Sequence, residues 1–160
     1  IFTLGTSGKE NELHSKINIP LIKTNRGGKI TYHGPGQRIV YFLIDLKKRK
    51  KDIRNFVNSI ETATILFLNE FGIEAKTFKD RIGIWVKNKK IAAIGLRVSK
   101  WVAYHGCSIN VSNKLKDYLK IIPCGLNNKK ITSIYNEKKI VPKNFEHQLA
   151  KIFCKNINSI

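Results

Sequence analysis

Apolar positions follow two periods along this chain, and each period predicts a different kind of element. From Ile53 onward, Phe56, Val57, Ile60, Phe67, Leu68 and Phe71 recur on one face of a helix. Asp52 stands where a cap belongs and Gly72 where a helix stops. Phe145, Leu149, Ile152 and Phe153 repeat the helical spacing after Pro142, which predicts a second packing helix. Elsewhere the period shortens. Ile1 to Leu4 reads as a short strand, followed by a polar loop through Gly5, Ser7, Gly8, Asn11 and Ser15. The largely apolar run Ile39 to Leu46, following the turn Gly34-Pro35-Gly36, predicts a buried strand. Ile82 to Val86 and Ile91 to Val98 flank the polar residues Lys87 to Lys90, so they predict a hairpin turning near Asn88. Strict alternation places Lys90 on the face of Ala92, Ile94, Leu96 and Val98, at the head of an otherwise apolar row. A shorter strand, Trp101 to Tyr104, precedes the segment His105 to Val111.

No internal repeat, low-complexity linker or shift of composition divides the chain, so residues 1–160 are expected to form a single domain. At 42% hydrophobic residues it can bury one core. The longest apolar run, Ile39 to Ile44, is far too short to span a bilayer, which predicts a soluble protein with no membrane partner. With Ile1 first and no methionine anywhere, an N-terminal segment is expected to be missing. A net charge of +19 raises nucleic acid or an acidic protein as a partner. Lysine dominates that charge, and the run Lys47 to Lys51 reads as a solvated connection rather than a binding site. Cys107, Cys124 and Cys154 form no C-x-x-C pair, which suits free thiols in a reducing, cytoplasmic setting.

The chemically suggestive residues are few. Cys124, in Ile121-Ile122-Pro123-Cys124-Gly125, stands where a strand end meets proline and glycine, a setting for an exposed thiol as well as for a small buried hydrophobe. A thiol near neutral pH needs a neighbouring cation to become the reactive thiolate. Lys90, among apolar neighbours, is a candidate for that cation, although it also reads as a plain strand end beside Lys89. The stretch RGGKITYHGPGQ, Arg26 to Gln37, is a glycine-rich loop carrying His33 and Gln37. It lacks the spacing of a phosphate-binding or dinucleotide loop. His33 and His105 stand at no recognised metal-ligand spacing, so neither a metal nor a cofactor is expected. Trp85 and Trp101 fit core or rim positions better than base-stacking platforms.

Together RGGKITYHGPGQ, Gly83 to Val86 (GIWV), Lys90 to Ser99 (KIAAIGLRVS), His105 to Val111 (HGCSINV) and IIPCG resemble the lipoyl(octanoyl) transferase family, in the family's order. The resemblance runs from Thr3 to about Ser133. It implies an α+β fold, a mixed β-sheet packed against helices, like the catalytic domain of biotin and lipoate protein ligases. It also implies movement of octanoyl from acyl carrier protein to a lysine of lipoyl domains, in 2-oxoacid dehydrogenases and the glycine cleavage H protein. By the same resemblance Cys124 is the acyl-thioester nucleophile and Lys90 the lysine that lowers its pKa. Substrate contacts would come from Arg26, Gly27, Gly28, Lys29, Ile30, Thr31, Tyr32 and His33, from Ala93, Ile94 and Gly95, and from Gly106, Cys107 and Ser108. Cys107 replaces the family's usual apolar residue and is read as packing. Two other readings remain: an ATP-dependent lipoate or biotin protein ligase, and a basic nucleic-acid-binding module.

Overall fold

The apolar stripe of the longer helix finds its partner in a five-stranded sheet. The computed structural model describes residues 1–13, 19–121 and 131–160. In chain order the elements are β1 (Phe2–Leu4), β2 (Leu21–Lys23), β3 (Ile30–Tyr32), β4 (Gln37–Asp45), α1 (Ile53–Asn69), β5 (Lys76–Phe78), β6 (Arg81–Val86), β7 (Lys89–Ser99), β8 (Val102–Asn110), α2 (Ile134–Lys138) and α3 (Glu146–Asn158). The large sheet is antiparallel in the order β4-β8-β7-β6-β5. A small sheet, β2-β1-β3, supplies the parallel pairing, between β1 and β2. The fold is therefore α+β; among the described strands, parallel pairing occurs in the smaller sheet.

Helices α1 and α3 cover one face of the large sheet, because the predicted apolar stripes lie there. Asp52 caps α1 by accepting a hydrogen bond from the Asn55 N–H at 2.9 Å, which satisfies one of the helix's orphan donors. Phe56, Ile60, Phe67 and Leu68 of α1 and Leu149, Phe153 and Ile157 of α3 are buried with Phe42, Ile84, Ala92, Cys107 and Ile109 of the sheet. Phe42 of β4 meets Phe56 and Phe153, with ring centroids 5.9 and 5.5 Å away. Arg38 joins β4 to the start of α3 by an ion pair with Glu146. A second, smaller cluster under the small sheet holds Phe2, Leu4, Ile30, Tyr32, Tyr118 and Ile121.

Two expectations need correction. The run Ile39 to Leu46 was expected to be buried throughout, but β4 is the edge strand, and its outward residues Tyr41 and Leu43 are 76% and 79% exposed. A largely apolar sequence here serves a strand covered on one side only. The second correction concerns Lys90. Ile84 pairs with Ala92, yet Trp85 pairs with Lys90, so the register slips by one residue and Ile91 is the extra one. Adjacent strand residues point to opposite faces and paired residues share a face. Lys90 therefore lies on the opposite face from Ala92 and Ile94, while Ile91 is drawn into the helix-side core.

Gly106 fixes how closely β4 and β8 approach, since a Cβ added there would fall 1.7 Å from the Val40 carbonyl oxygen. Gly106→Ala is expected to lower the thermal midpoint sharply or abolish soluble folding. An unchanged melting curve would show that the strand pair has room to spare.

Candidate active site

The face of the large sheet turned away from the helices is built from small residues. Cross-strand pairing sets Ala93 against Ser108 and Gly95 against Gly106, so two of the predicted substrate segments are direct neighbours. Ile94 and Cys107, paired between them, point into the helix-side core. Cys107 is buried at 3% exposure, and desolvation pushes its thiol up to about 12, so it packs as a neutral hydrophobe. Its backbone alone faces the same region as Gly106 and Ser108.

A loop lies over this outer face. The Gly27 N–H donates to the Leu96 carbonyl at 3.0 Å, and a Cβ on Gly95 would meet Arg26 Cδ at 3.2 Å. Arg26 secures the loop: its Nη2 donates to the Thr3 carbonyl at 2.7 Å, its Nε to Thr3 Oγ1 at 3.1 Å and its Nη1 to the Gly27 carbonyl at 3.0 Å. Lys29 pairs with Glu12 at 3.2 Å, while Ile30 and Tyr32 are buried under the small sheet. Of the predicted loop residues, the backbone at Arg26 and Gly27 thus approaches Gly95 and Leu96. The side chains of Ile30 and Tyr32 belong to a core.

His105 departs from strand alternation. Its pairing with Leu96 would turn it toward the helices, but its φ is +63°, and its Nε2 lies 2.5 Å from Asn25 Oδ1. Asn25 Nδ2 donates to the Tyr104 hydroxyl at 3.3 Å, so strand and loop are tied at this point too.

Lys90 is buried at 8% exposure, with its Nζ 5.0 Å from the centroid of the fully buried Trp85 ring. An ammonium over an indole face is stabilised by the ring quadrupole, more so when desolvated. Gly83 makes room for the stem, since a Cβ there would stand 3.0 Å from Lys90 Cε. Past the end of β8, Ile131 takes the place beside Lys90 in a parallel bridge, and the Thr132 N–H donates to the Lys90 carbonyl at 2.9 Å. Cys124 lies outside the described residues.

The sequence pointed to Gln37 but missed the network it belongs to. His33 Nδ1 lies 2.7 Å from Gln37 Oε1, and Gln37 Nε2 donates to Asn110 Oδ1 and to the Tyr118 hydroxyl, each at 2.9 Å. Asn110 Nδ2 donates onward to the Thr132 carbonyl at 3.0 Å. The ring of His33 is thereby linked, through Gln37 and Asn110, to the segment bound to Lys90. A polar Asn110 between Ile109 and Val111 was the only sequence signal for this hub. With Gln37 accepting, neutral His33 carries its proton on Nδ1 and keeps the Nε2 lone pair.

The catalytic-domain family model for lipoyl protein ligases A and B matches residues 1–154. The octanoyltransferase of Rickettsia canadensis (strain McKiel) is 48% identical over 141 residues, covering 84% of this chain and 68% of that protein. The octanoyltransferase of Bartonella tribocorum is 44% identical over 149 residues, covering 85% of this chain and 61% of that protein. This chain belongs to the octanoyltransferase family. It is thus an acyltransferase, an enzyme of octanoyl transfer in protein lipoylation.

Solved structures agree on the fold. A lipoate-protein ligase A bound with ATP superposes at TM-score 0.72, with 16% identity, over 99% of this chain and 67% of that one. A biotin protein ligase from Aquifex aeolicus superposes at 0.61, with 17% identity, over 78% and 54%. Octanoyltransferases thus share their scaffold with ligases. No described helix is long and apolar enough to cross a membrane.

Burial, with Arg26 nearby, holds the His33 pKa below its ordinary 6.5, while the Gln37 hydrogen bond opposes the shift. In an NMR titration the His33 ring is expected to take its proton only below 6.5, and at still lower pH in Gln37→Leu. The folded ring resists the proton, so its share of stability is complete above 6.5 and is lost as pH falls through that value toward the folded pKa. A midpoint at or above 6.5 would contradict this environment.

Proposed function

We propose that this octanoyltransferase takes octanoyl from acyl carrier protein and passes it to a lysine of a lipoyl domain through a thioester on Cys124. The thiolate of Cys124 attacks the carbonyl carbon of the donor thioester, and the carrier's sulfur leaves. The leaving thiolate takes a proton from the Lys90 ammonium, which has just lost its anionic partner. Neutral Lys90 then accepts a proton from the acceptor lysine as that amine attacks the Cys124 thioester. Collapse of the tetrahedral intermediate expels the Cys124 thiolate, forms the amide and restores the ion pair. Every proton lost at one stage is recovered at the next.

The observation that carries this reading is the setting of Lys90. The side chain is buried on the same face as Ala93 and Gly95, and its backbone is bound by residues 131 and 132. Cys124 lies seven positions before Ile131 in sequence. The ammonium also sits on an aromatic face, in a site where opposite charges interact more strongly than in water. The outer face, lined by Ala93, Gly95, Gly106 and the backbone at Gly27, suits a straight acyl chain. The free thiols Cys107 and Cys154 fit the reducing cytoplasm in which this reading places the enzyme.

An ATP-dependent ligase is the second reading, favoured by the shared scaffold. Intact-mass analysis after mixing the enzyme with octanoyl-acyl carrier protein separates the two. One octanoyl adduct, released by hydroxylamine and lost in Cys124→Ala, is expected. A folded protein that gains no adduct, or a Cys124→Ala variant that still modifies the lipoyl domain, would favour the ligase. In single-turnover transfer Lys90→Met is expected to slow the second step by about 100-fold or more, the usual worth of a positioned general base. A rate within a few-fold of the unmodified enzyme would remove Lys90 from the mechanism.

A further inference from the structure

Cations and aromatic rings continue outward from Lys90 along the same face of the sheet. Trp85 pairs with both Lys90 on β7 and Lys76 on β5. Lys76 Nζ lies 4.9 Å from the centroid of Phe78, and Arg81 stacks on both Phe78 and Trp85, at 3.9 and 4.6 Å. Phe78 meets Trp85 edge-on, with centroids 6.1 Å apart. Exposure falls along this track, from open Lys76 at the sheet edge, through half-buried Phe78 and Arg81, to buried Trp85 and Lys90. The track therefore leads from solvent to the reactive amine.

Its charge is poorly balanced. Lys76, Lys79, Arg81, Lys87, Lys89 and Lys90 stand within fifteen positions that hold one carboxylate, Asp80. Among the described residues, Lys23, Lys29 and Lys120 each hold a carboxylate at 3.2 Å or closer, whereas Asp80 stands 4.0 Å from Arg81. Two buried donors beneath the track, Arg81 Nε and Trp85 Nε1, find no acceptor among the described residues, so this end of the sheet carries no hidden carboxylate against them. The Arg81 guanidinium carbon lies within 4.6 Å of both ring centroids, which fixes this cation beside Trp85.

We propose that this track is the surface on which the acceptor, an acidic protein domain presenting a lysine, docks to bring its amine to Lys90. The inference rests on the transfer mechanism proposed above. It assigns the track to the acceptor rather than the donor because of reach. A lysine carries its amine on a four-carbon stem, so the acceptor's own surface must come within a side chain's length of the reacting atoms. An acyl group arriving on a carrier's long thioester arm sets no such limit on where the carrier sits. Carboxylates around the acceptor lysine would meet Lys76 and Arg81 at the point where the amine enters.

Lys76→Glu on the track, and Lys79→Glu in the turn between β5 and β6 beside it, test this in the full chain with an intact lipoyl domain as acceptor. Both residues are exposed, and thermal melts identical to the parent's will confirm folding. Each variant is expected to raise the acceptor's KM about tenfold with kcat little changed. The difference should collapse near 1 M salt, where the Debye length is about 3 Å. Acylation of the enzyme by octanoyl-acyl carrier protein, and transfer to a short uncharged lysine peptide, should be unaltered. A control reversal at Lys47 and Lys48, away from the track, should leave the acceptor's KM unchanged. An unchanged acceptor KM in the track variants, an equal effect in the control, or slowed donor acylation would overturn the docking surface while leaving the transfer mechanism standing. A parent enzyme that is never acylated would overturn both.

Discussion

The arrangement of the site depends on a one-residue slip between β6 and β7. With strict alternation, the amine of Lys90 would enter the largely apolar core under α1 and α3, where desolvating a charge is costly. The extra residue, Ile91, takes that inward place and is fully buried there. Lys90 is delivered instead to the face of Ala93 and Gly95, over the indole of Trp85. The same slip reconciles two demands on one strand: β7 contributes Ala92, Ile94, Leu96 and Val98 to the core while presenting a cation on the other side. Gly83 completes the arrangement by leaving space for the lysine stem.

Around that amine the fold removes bulk and adds fixed polar links. Gly106 lets β4 approach β8, and Gly95 makes room for the Arg26 loop, which is held over it by bonds to Thr3 and Leu96. Asn110 accepts from Gln37 and donates to the Thr132 carbonyl, and the next backbone N–H in that relay ends on Lys90. Buried side-chain networks that are fully bonded favour one geometry over nearby alternatives. The relay thus ties the His33 loop, the end of β8 and residues 131 and 132 into one frame. Substrate transfer needs such a frame, since acyl donor and amine must each be held close to the reacting atoms.

Much of this was legible from pattern alone. The long helix, its Asp52 cap, the hairpin turn at Asn88, the apolar β4 and the C-terminal helix follow directly from periodicity and turn residues. The motifs around His33, Lys90 and Gly106 located strands and loops that the fold does bring together. Periodicity failed where a single residue breaks it. Ile91 is a normal strand residue, and nothing in KKIAAIG distinguishes a bulge from a regular strand. The positive φ of His105 redirects its ring in the same unannounced way. The Asn110 relay depends on partners 73 positions apart in one bond and 22 in the next, which no local window can see. Of the small sheet only β1 was read; β2 and β3 were hidden, because these three-residue strands carry too little pattern to stand out from the loops around them.

Charge sharing between Cys124 and Lys90 is read most directly in the acidity of the thiol. The rate of Cys124 alkylation by iodoacetamide, followed against pH by mass spectrometry, should titrate well below the roughly 8.5 of a free cysteine, and Lys90→Met should move it up by at least about one unit. A thiol that titrates like free cysteine in both proteins would contradict the central claim.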